Sequence, residues 1–295
     1  MENIFTNYQG VLRKNYNLAH LTWLKVGGNA DFFYKPKDMS DLQNFLQQIP
    51  DHVELNIIGA GSNLLIRDGG IRGVVVKLGS QFNYIELKDD VIRVGASTLN
   101  YHLAHFAYQN SITGMEFLLG IPGTIGGGIA MNAGSYGQEF KDILCFVTAV
   151  DRNGRIVRFS NQEMGFVYRC NSLDQQFIFL QAEISVTKGM QNKIKDLMDH
   201  INFKRSISQP VNAKTAGSTF ANPLPHKAWE LIDKVGMKGY TLNGAQFSDL
   251  HCNFLLNLGN ATAADLESLG EMARFKVLSH SGIELKWEVK RIGLP

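Results

Sequence analysis

Cysteine is scarce in this 295-residue chain. Cys145, Cys170 and Cys252 are odd in number and widely spaced, which excludes a disulfide framework and matches no metal-ligand spacing. An excess of one charge is missing too. The 29 Lys and Arg against 27 Asp and Glu leave a net charge of +2, and the basic residues are scattered, so neither nucleic acid nor a membrane is an expected partner. No apolar run reaches the ~18 residues of a membrane span. The start, Met1-Glu2-Asn3-Ile4-Phe5, lacks the basic and apolar regions of a signal peptide, so the expected compartment is the cytoplasm. There is no internal repeat and no low-complexity segment. His102 and His105 lie three apart on one helical stretch with no carboxylate or cysteine at ligand spacing; they read as surface or packing histidines, and no metal is expected.

What remains describes a globular protein with a sizeable core, 44% hydrophobic and 19% charged, long enough for two domains or three small ones. Its most unusual stretch is 114–137, which is both apolar and crowded with glycine. Ile121-Pro122-Gly123-Thr124 reads as a turn delivering the chain to Thr124, an N-cap for a short helix over 125–131. A glycine-rich turn opening a helix presents unpaired N–H groups that suit a pyrophosphate; a tight crossing of two backbones fits the same residues. A second such loop follows the strand 55–58, in Gly59-Ala60-Gly61-Ser62-Asn63-Leu64-Leu65. It lacks the third glycine of the Rossmann fingerprint, which argues against the commonest dinucleotide fold.

Elsewhere short strands mix with a few helices, an α+β pattern without regular βαβ repeats. Strands are expected at 71–78, 82–87, 91–94, 143–150, 156–159 and 177–187, with a hairpin turn at Asp151-Arg152-Asn153-Gly154. Helices are expected over 38–48, from Thr98 with Leu99, Leu103, Phe106 and Ala107 on one face, and over 191–205. Composition changes after Pro210. Residues 214–223 read as an irregular functional loop. A helix with Ala228, Leu231, Ile232 and Val235 follows, then one entered through Thr262-x-x-Asp265 that presents Leu266, Leu269 and Phe275. Between them lie Gly244-Ala245-Gln246-Phe247-Ser248 and a strand over 253–257, and residues 283–293 read as a closing strand.

Taken together, the segments Trp23-Leu24-Lys25-Val26-Gly27-Gly28-Asn29-Ala30-Asp31, Gly59–Leu65, Gly120-Ile121-Pro122-Gly123-Thr124-Ile125-Gly126-Gly127, Met131-Asn132-Ala133-Gly134, Tyr168-Arg169, Ala216-Gly217-Ser218-Thr219-Phe220, Asn222-Pro223 and Glu288-Val289 resemble, in order and over nearly the whole chain, the UDP-N-acetylenolpyruvoylglucosamine reductase family. The resemblance implies the vanillyl-alcohol-oxidase (PCMH-type) FAD-binding fold: subdomains at 1–78 and 79–207, plus a small α+β substrate-binding domain at 208–295. The short C-terminal part resembles the family's compact second type, which lacks a tyrosine loop. The implied reaction, in bacterial peptidoglycan synthesis, reduces the enolpyruvyl ether of UDP-N-acetylglucosamine to UDP-N-acetylmuramate, with NADPH as donor and non-covalent FAD passing hydride from N5.

The resemblance also carries roles. Ser218 matches the proton donor; by itself it would read as a turn serine. Arg169 and Glu288 match the groups that stabilise the substrate carboxylate, a guanidinium fork and a glutamate that must be protonated there to donate; their plain reading is an exposed pair on strand ends. Gly59, Gly61, Ser62, Asn63, Leu64, Gly120, Pro122, Gly123, Thr124, Gly126, Gly127 and Ala133 are expected at FAD, making the two glycine-rich loops walls of one pyrophosphate site. Lys204, Arg205, Asn222 and Gln246 are expected at the substrate. Three positions depart from the family pattern: Ala221 for lysine, Lys290 for arginine, and Cys170 for a polar residue. Two rival readings are an oxidase of the same fold, which often attaches FAD through His or Cys, and a nucleotide-binding module without catalysis, which would lack the Ser218, Arg169 and Glu288 set.

Overall fold

A computed structural model describes residues 5–173 and 177–295. Residues 1–4, on which the reading of the chain's start rests, lie outside them. The described chain divides into two compact units. One holds the residues up to 13 together with 33–59 and 74–204, and the other holds 14–32, 60–73 and 205–295.

In the first unit a five-stranded antiparallel sheet runs in the order Ile156–Ser160, Leu144–Val150, Ile178–Ser185, Val91–Gly95, Ile85–Lys88. The Asp151–Gly154 turn joins the first two, with Gly154 N–H donating to Asp151 at 3.1 Å. Buried Val94, Leu103, Phe117, Ile129, Phe140 and Ile184 belong to one core. The strand Leu55–Ile57 pairs in parallel with residues 74–76 and leads into the Gly59 loop. Helix Met39–Leu46 is capped by the Asp38 carboxylate, which accepts from Asp41 N–H at 2.9 Å.

Two expectations in this unit need correction. The strand expected over 82–87 is only Ile85–Lys88, because residues 80–82 turn as a 3-10 helix, with Phe82 N–H bonded to Gly79. The helix expected from Thr98 is Asn100–Gln109, and Leu99 lies before it, exposed. Leu99 is extended because it bridges to Thr124, so Asn100, Leu103, Ala104 and Ala107 form the buried face.

In the second unit an antiparallel sheet runs Thr215–Ser218, Phe254–Asn257, Ala245–Phe247, Thr241–Leu242. Its core includes Phe220, Ile232, Phe247, Leu266 and Leu285, and helices Ala228–Lys234 and Ala263–Ser281 belong to it. The second helix opens on a reciprocal capping box between Thr262 and Asp265. Its buried stripe is Leu266, Leu269, Gly270, Ala273 and Val277. Phe275 does not join it and is 71% exposed, because two places past Ala273 is about 200° round the helix. The stretch 214–223 is less irregular than expected: Thr215–Ser218 is a strand, and Thr219 and Phe220 are buried. The tail is less regular than expected. Only Lys290–Ile292 is a strand, parallel to Leu64–Ile66. Before it the chain follows a different neighbour, with Ala221 N–H donating to Lys286, Phe220 bridging Trp287, and Glu288 N–H donating to Thr219.

Among the described residues no helix is long and apolar enough to cross a membrane, and no group of three or more His, Cys, Asp or Glu is placed to hold a metal ion. The His105 ring lies tilted against that of Tyr101, with ring centroids 3.9 Å apart.

Candidate active site

The two glycine-rich loops meet within the first unit. Gly59 lies against Thr124 so closely that a Cβ on it would stand 2.6 Å from the threonine Oγ1. That hydroxyl is the N-cap of helix Ile125–Ala130, accepting from Gly127 N–H at 3.3 Å. The expected unpaired N–H groups at the start of this helix are, however, taken. Ile125 N–H donates to Thr98 at 2.8 Å and Gly126 N–H to Ala96 at 2.9 Å. The groups without a partner among the described residues stand one step earlier, at Gly123 and Thr124, and on the other loop at Gly59. Gly123 has φ +133, a region that favours glycine.

Both readings of the glycine-rich stretch therefore hold, at different residues. Gly128 packs against the Phe140 ring and Gly126 against Ala96, where a Cβ would come within 3.0 Å; these are close crossings. Gly120 lies against Ser135. Ala133 has both main-chain groups occupied, its N–H by Gly128 at 2.8 Å and its carbonyl by Phe140 at 3.1 Å. Lys77 donates its ammonium to the Gly59 carbonyl. Burial, with a lesser effect from Lys35, pulls this lysine below its ordinary pKa.

In the second unit Gly61 turns with φ +69, its Cα facing the Leu21 carbonyl, and its own carbonyl accepts from Trp23 N–H at 3.1 Å. The N–H groups of Gly61 and Asn63 have no partner among the described residues. Such groups on glycine-rich turns form a cradle for an anion, and the residues present fit the pyrophosphate of a dinucleotide. Ser62 sits between Gly61 and Asn63 on this turn, Pro122 precedes Gly123, and Leu64 starts the strand that Lys290–Ile292 joins.

That strand pairing brings predicted site residues together. The Asn63 side chain donates to the Glu288 carbonyl at 3.2 Å, and Lys290 N–H donates to the Asn63 carbonyl at 3.0 Å. Glu288 N–H donates to Thr219, the neighbour of Ser218, at 2.9 Å. The Asn222 Oδ1 accepts from Ala228 N–H at 2.9 Å and so holds the start of the next helix. The Gln246 amide is 3.2 Å from Thr241 Oγ1. Ala221 contributes its main chain, and Lys290 stands in the short strand beside Leu64.

Arg169 belongs to the first unit. Val167 and Cys170 exchange both main-chain bonds around a turn, and Arg169 takes φ +58 within it. A non-glycine residue there costs of order 1 kcal/mol, and such strain collects at functional sites. Its guanidinium lies over the Tyr168 ring, 4.7 Å from the centroid, and donates to Gly134 at 3.2 Å. Glu139, which also accepts from Asn132 at 3.0 Å, is 4.0 Å away. Cys170 is exposed, and nothing in the structure explains a cysteine there. Lys204 and Arg205 lie on helix Gln191–Ser208.

Four contributors were not singled out as site residues from the sequence. Lys77 sits in an apolar strand run, Thr219 beside the serine that draws attention, and Asn253 at the head of a strand. His251 also takes part, accepting from Asn253 N–H through Nδ1 at 3.3 Å. Burial keeps this histidine below its ordinary pKa.

Comparisons with known proteins show the family. A family model for the FAD binding domain matches residues 30–160, and one for the C-terminal domain of UDP-N-acetylenolpyruvoylglucosamine reductase matches 209–292. UDP-N-acetylenolpyruvoylglucosamine reductases of Rickettsia massiliae (strain Mtu5) and Rickettsia prowazekii (strain Madrid E) are each 54% identical over 285 residues, 97% of this chain and of theirs. The crystal structure of UDP-N-acetylenolpyruvylglucosamine reductase (MurB) from Thermus caldophilus aligns with a TM-score of 0.84 at 30% identity, over 97% of this chain and 99% of that one. A fold with FAD-binding and C-terminal reductase domains and a whole-length likeness point one way: the chain belongs to the UDP-N-acetylenolpyruvoylglucosamine reductase (MurB) family of flavin-dependent oxidoreductases.

Proposed function

We propose that this protein carries out the NADPH-dependent, FAD-mediated reduction of the enolpyruvyl ether of UDP-N-acetylglucosamine to UDP-N-acetylmuramate, a cytoplasmic step of peptidoglycan synthesis. In this reading residues 1–78 and 79–207 are the FAD-binding subdomains and 208–295 is the substrate-binding domain. The main-chain N–H groups of Gly59, Gly61, Asn63, Gly123 and Thr124 hold the pyrophosphate of non-covalent FAD, with Ser62, Leu64, Gly120, Pro122, Gly126, Gly127 and Ala133 shaping the walls. When bound, FAD would supply the two-electron chemistry that carries hydride from NADPH to the vinyl ether.

The chain's own residues handle charge and proton. Arg169 receives the substrate carboxylate on its guanidinium fork, and Glu288 stabilises the same group as negative charge develops. One well-placed donor of this kind contributes ~3–4 kcal/mol to the transition state. Ser218 gives its hydroxyl proton to the α-carbon, completing the lactyl ether, and is reprotonated from solvent. Lys204, Arg205, Asn222 and Gln246 hold the nucleotide sugar.

The observation that carries this reading is the joining of Ser218-Thr219 to Glu288 by the Thr219 carbonyl, with Asn63 of the glycine-rich loop bonded to the other main-chain group of Glu288. The test is an anaerobic visible spectrum of the purified protein. NADPH bleaches the flavin band, and enolpyruvyl-UDP-N-acetylglucosamine restores it; a protein without flavin, or a bleached flavin that this substrate fails to reoxidise, refutes the assignment. Acid precipitation then separates the rival oxidase reading, since flavin retained in the pellet means covalent attachment.

A further inference from the structure

We propose that Asn253 is a positioning residue that sets Ser218 and Glu288 in register with each other for substrate reduction. This rests on the functional reading above, in which those two residues are the proton donor and a carboxylate-stabilising group. It begins with an irregularity in a sheet. Thr215 pairs with Leu256 and Ser218 with Phe254, so the register shifts between them and the Ser218 strand carries one extra residue. A bulge of this kind re-aims side chains and leaves ladder groups to be satisfied by other means.

Here the other means is residue 253. Its carbonyl accepts from Thr219 N–H at 2.7 Å. Its side-chain Oδ1 accepts from Phe220 N–H at 3.0 Å, and its Nδ2 donates to the Phe220 carbonyl at 2.8 Å. A carboxamide offers one donor edge and one acceptor edge, so Asn253 stands in for a strand neighbour of Phe220 on the side that Trp287 does not take. Asn253, Thr219 and Phe220 are all buried, where a lost bond leaves a desolvated polar group unpaired.

Thr219 is the hub. It follows Ser218 in the chain, its Oγ1 accepts from Leu255 N–H at 3.1 Å, and its carbonyl accepts from Glu288 N–H at 2.9 Å and Val289 N–H at 3.3 Å. The path from proton donor to glutamate is thus Ser218–Thr219–Glu288; the Asn253 carbonyl holds its middle, and the Asn253 side chain fixes the next residue, Phe220. A small displacement of catalytic groups by a distant change can cost about 10²-fold in rate. In the functional reading Ser218 and Glu288 act on the enolpyruvyl substrate and not in FAD reduction by NADPH, so the effect belongs to one half-reaction.

The experiment measures both half-reactions of the holoenzyme by anaerobic stopped flow for wild type, Ser218→Ala and Asn253→Asp. The aspartate keeps the shape but, when ionised, faces the Phe220 carbonyl with an oxygen in place of a donor. When protonated it regains the donor. The expected result for Asn253→Asp is flavin reduction by NADPH within about twofold of wild type and reoxidation by enolpyruvyl-UDP-N-acetylglucosamine about 10- to 100-fold slower, the deficit narrowing as pH falls. Reoxidation at the wild-type rate, an equal loss in both half-reactions, or a deficit that ignores pH each overturns the proposal. If Asn253→Asp does not fold with flavin, Asn253→Ser is read the same way, without the pH arm but with the substrate KM. A fall in kcat at unchanged KM supports positioning, and unchanged kinetics refute it. A wild type that the substrate cannot reoxidise, or a Ser218→Ala that reoxidises normally, refutes the functional reading instead.

Discussion

Gly59 and Thr124 stand too close together for any side chain at position 59. A Cβ there would stand 2.6 Å from the Thr124 hydroxyl that caps the short glycine-rich helix. Gly59→Ala pushes that hydroxyl off Gly127 N–H, at a combined cost of about 2–3 kcal/mol for overpacking and a lost cap. The expected variant folds but holds flavin at least about tenfold more weakly, since every 1.4 kcal/mol is tenfold in affinity. The ratio of flavin to protein absorbance after purification, and a flavin titration, check it.

Replacing Ser218 by alanine removes the proposed proton donor and leaves the flavin loops untouched. Bleaching by NADPH is expected to be normal, while turnover falls at least about 100-fold. Rates compared in H2O and D2O add a second readout, because a proton transfer made rate-limiting by the substitution should show a larger solvent isotope effect than in the wild type. Normal turnover of Ser218→Ala assigns the proton to a different residue.

An ion-pair network in the second unit links Arg67, Glu267, Arg291 and Glu271. Arg67 reaches Glu267 at 2.8 Å, and Arg291 reaches Glu267 at 2.7 Å and Glu271 at 2.8 Å. The hydrogen bond from Arg67 holds the Glu267 carboxyl below its ordinary range, against the opposing effect of burial and with help from both charges. A carboxyl depressed in the folded state stabilises the protein above its unfolded pKa of ~4.3 and loses that contribution as pH falls through the folded value. Glu267→Gln is therefore expected to lower stability by about 1–2 kcal/mol at pH 7, discounted for the partial exposure of the pair. The gap to wild type should close below about pH 4. Thermal unfolding of both proteins across pH measures it; a gap that is constant with pH refutes the linkage.

The corrected face of helix Ala263–Ser281 gives a contrast between two large apolar residues. Leu269 is buried among the core residues, while Phe275 is 71% exposed. Leu269→Ala is expected to cost about 2–5 kcal/mol, and Phe275→Lys to change stability by no more than about 0.5 kcal/mol. Chemical denaturation of the two variants beside wild type tests the assignment of the face.

The likeness of ordered segments carried the fold and the family, and local chemistry carried much of the secondary structure. Thr262 announces its helix because a cap is a short-range device. Phe275 misleads for the opposite reason: apolar spacing along one helix says nothing about where its neighbours stop. The tail 283–293 misleads because its alternation is real but its pairing changes partner at Glu288, which only the positions of Thr219 and Asn63 decide. Thr124 was legible as a cap, yet the fate of the N–H groups after it depends on Ala96 and Thr98, nearly thirty residues upstream. Asn253 is invisible in one dimension, since its partners Thr219 and Phe220 lie 33 or more positions away.

The bond from the Asn63 side chain to Glu288 joins residues 225 positions apart, and the strand Leu64–Ile66 has Lys290–Ile292 as its partner in a two-stranded sheet. At ~5–20 residues per second, Asn63 is made roughly 11–45 s before the residue it binds. Through that interval the first segments of the second unit are held waiting with a strand edge open, while the sheet of the first unit has all its strands by Ser185. Ribosome-bound chains stopped short of residue 288 should therefore protect the first sheet from protease and leave residues 60–66 open to it, so the glycine-rich loop that begins the site is also among the last parts to be finished.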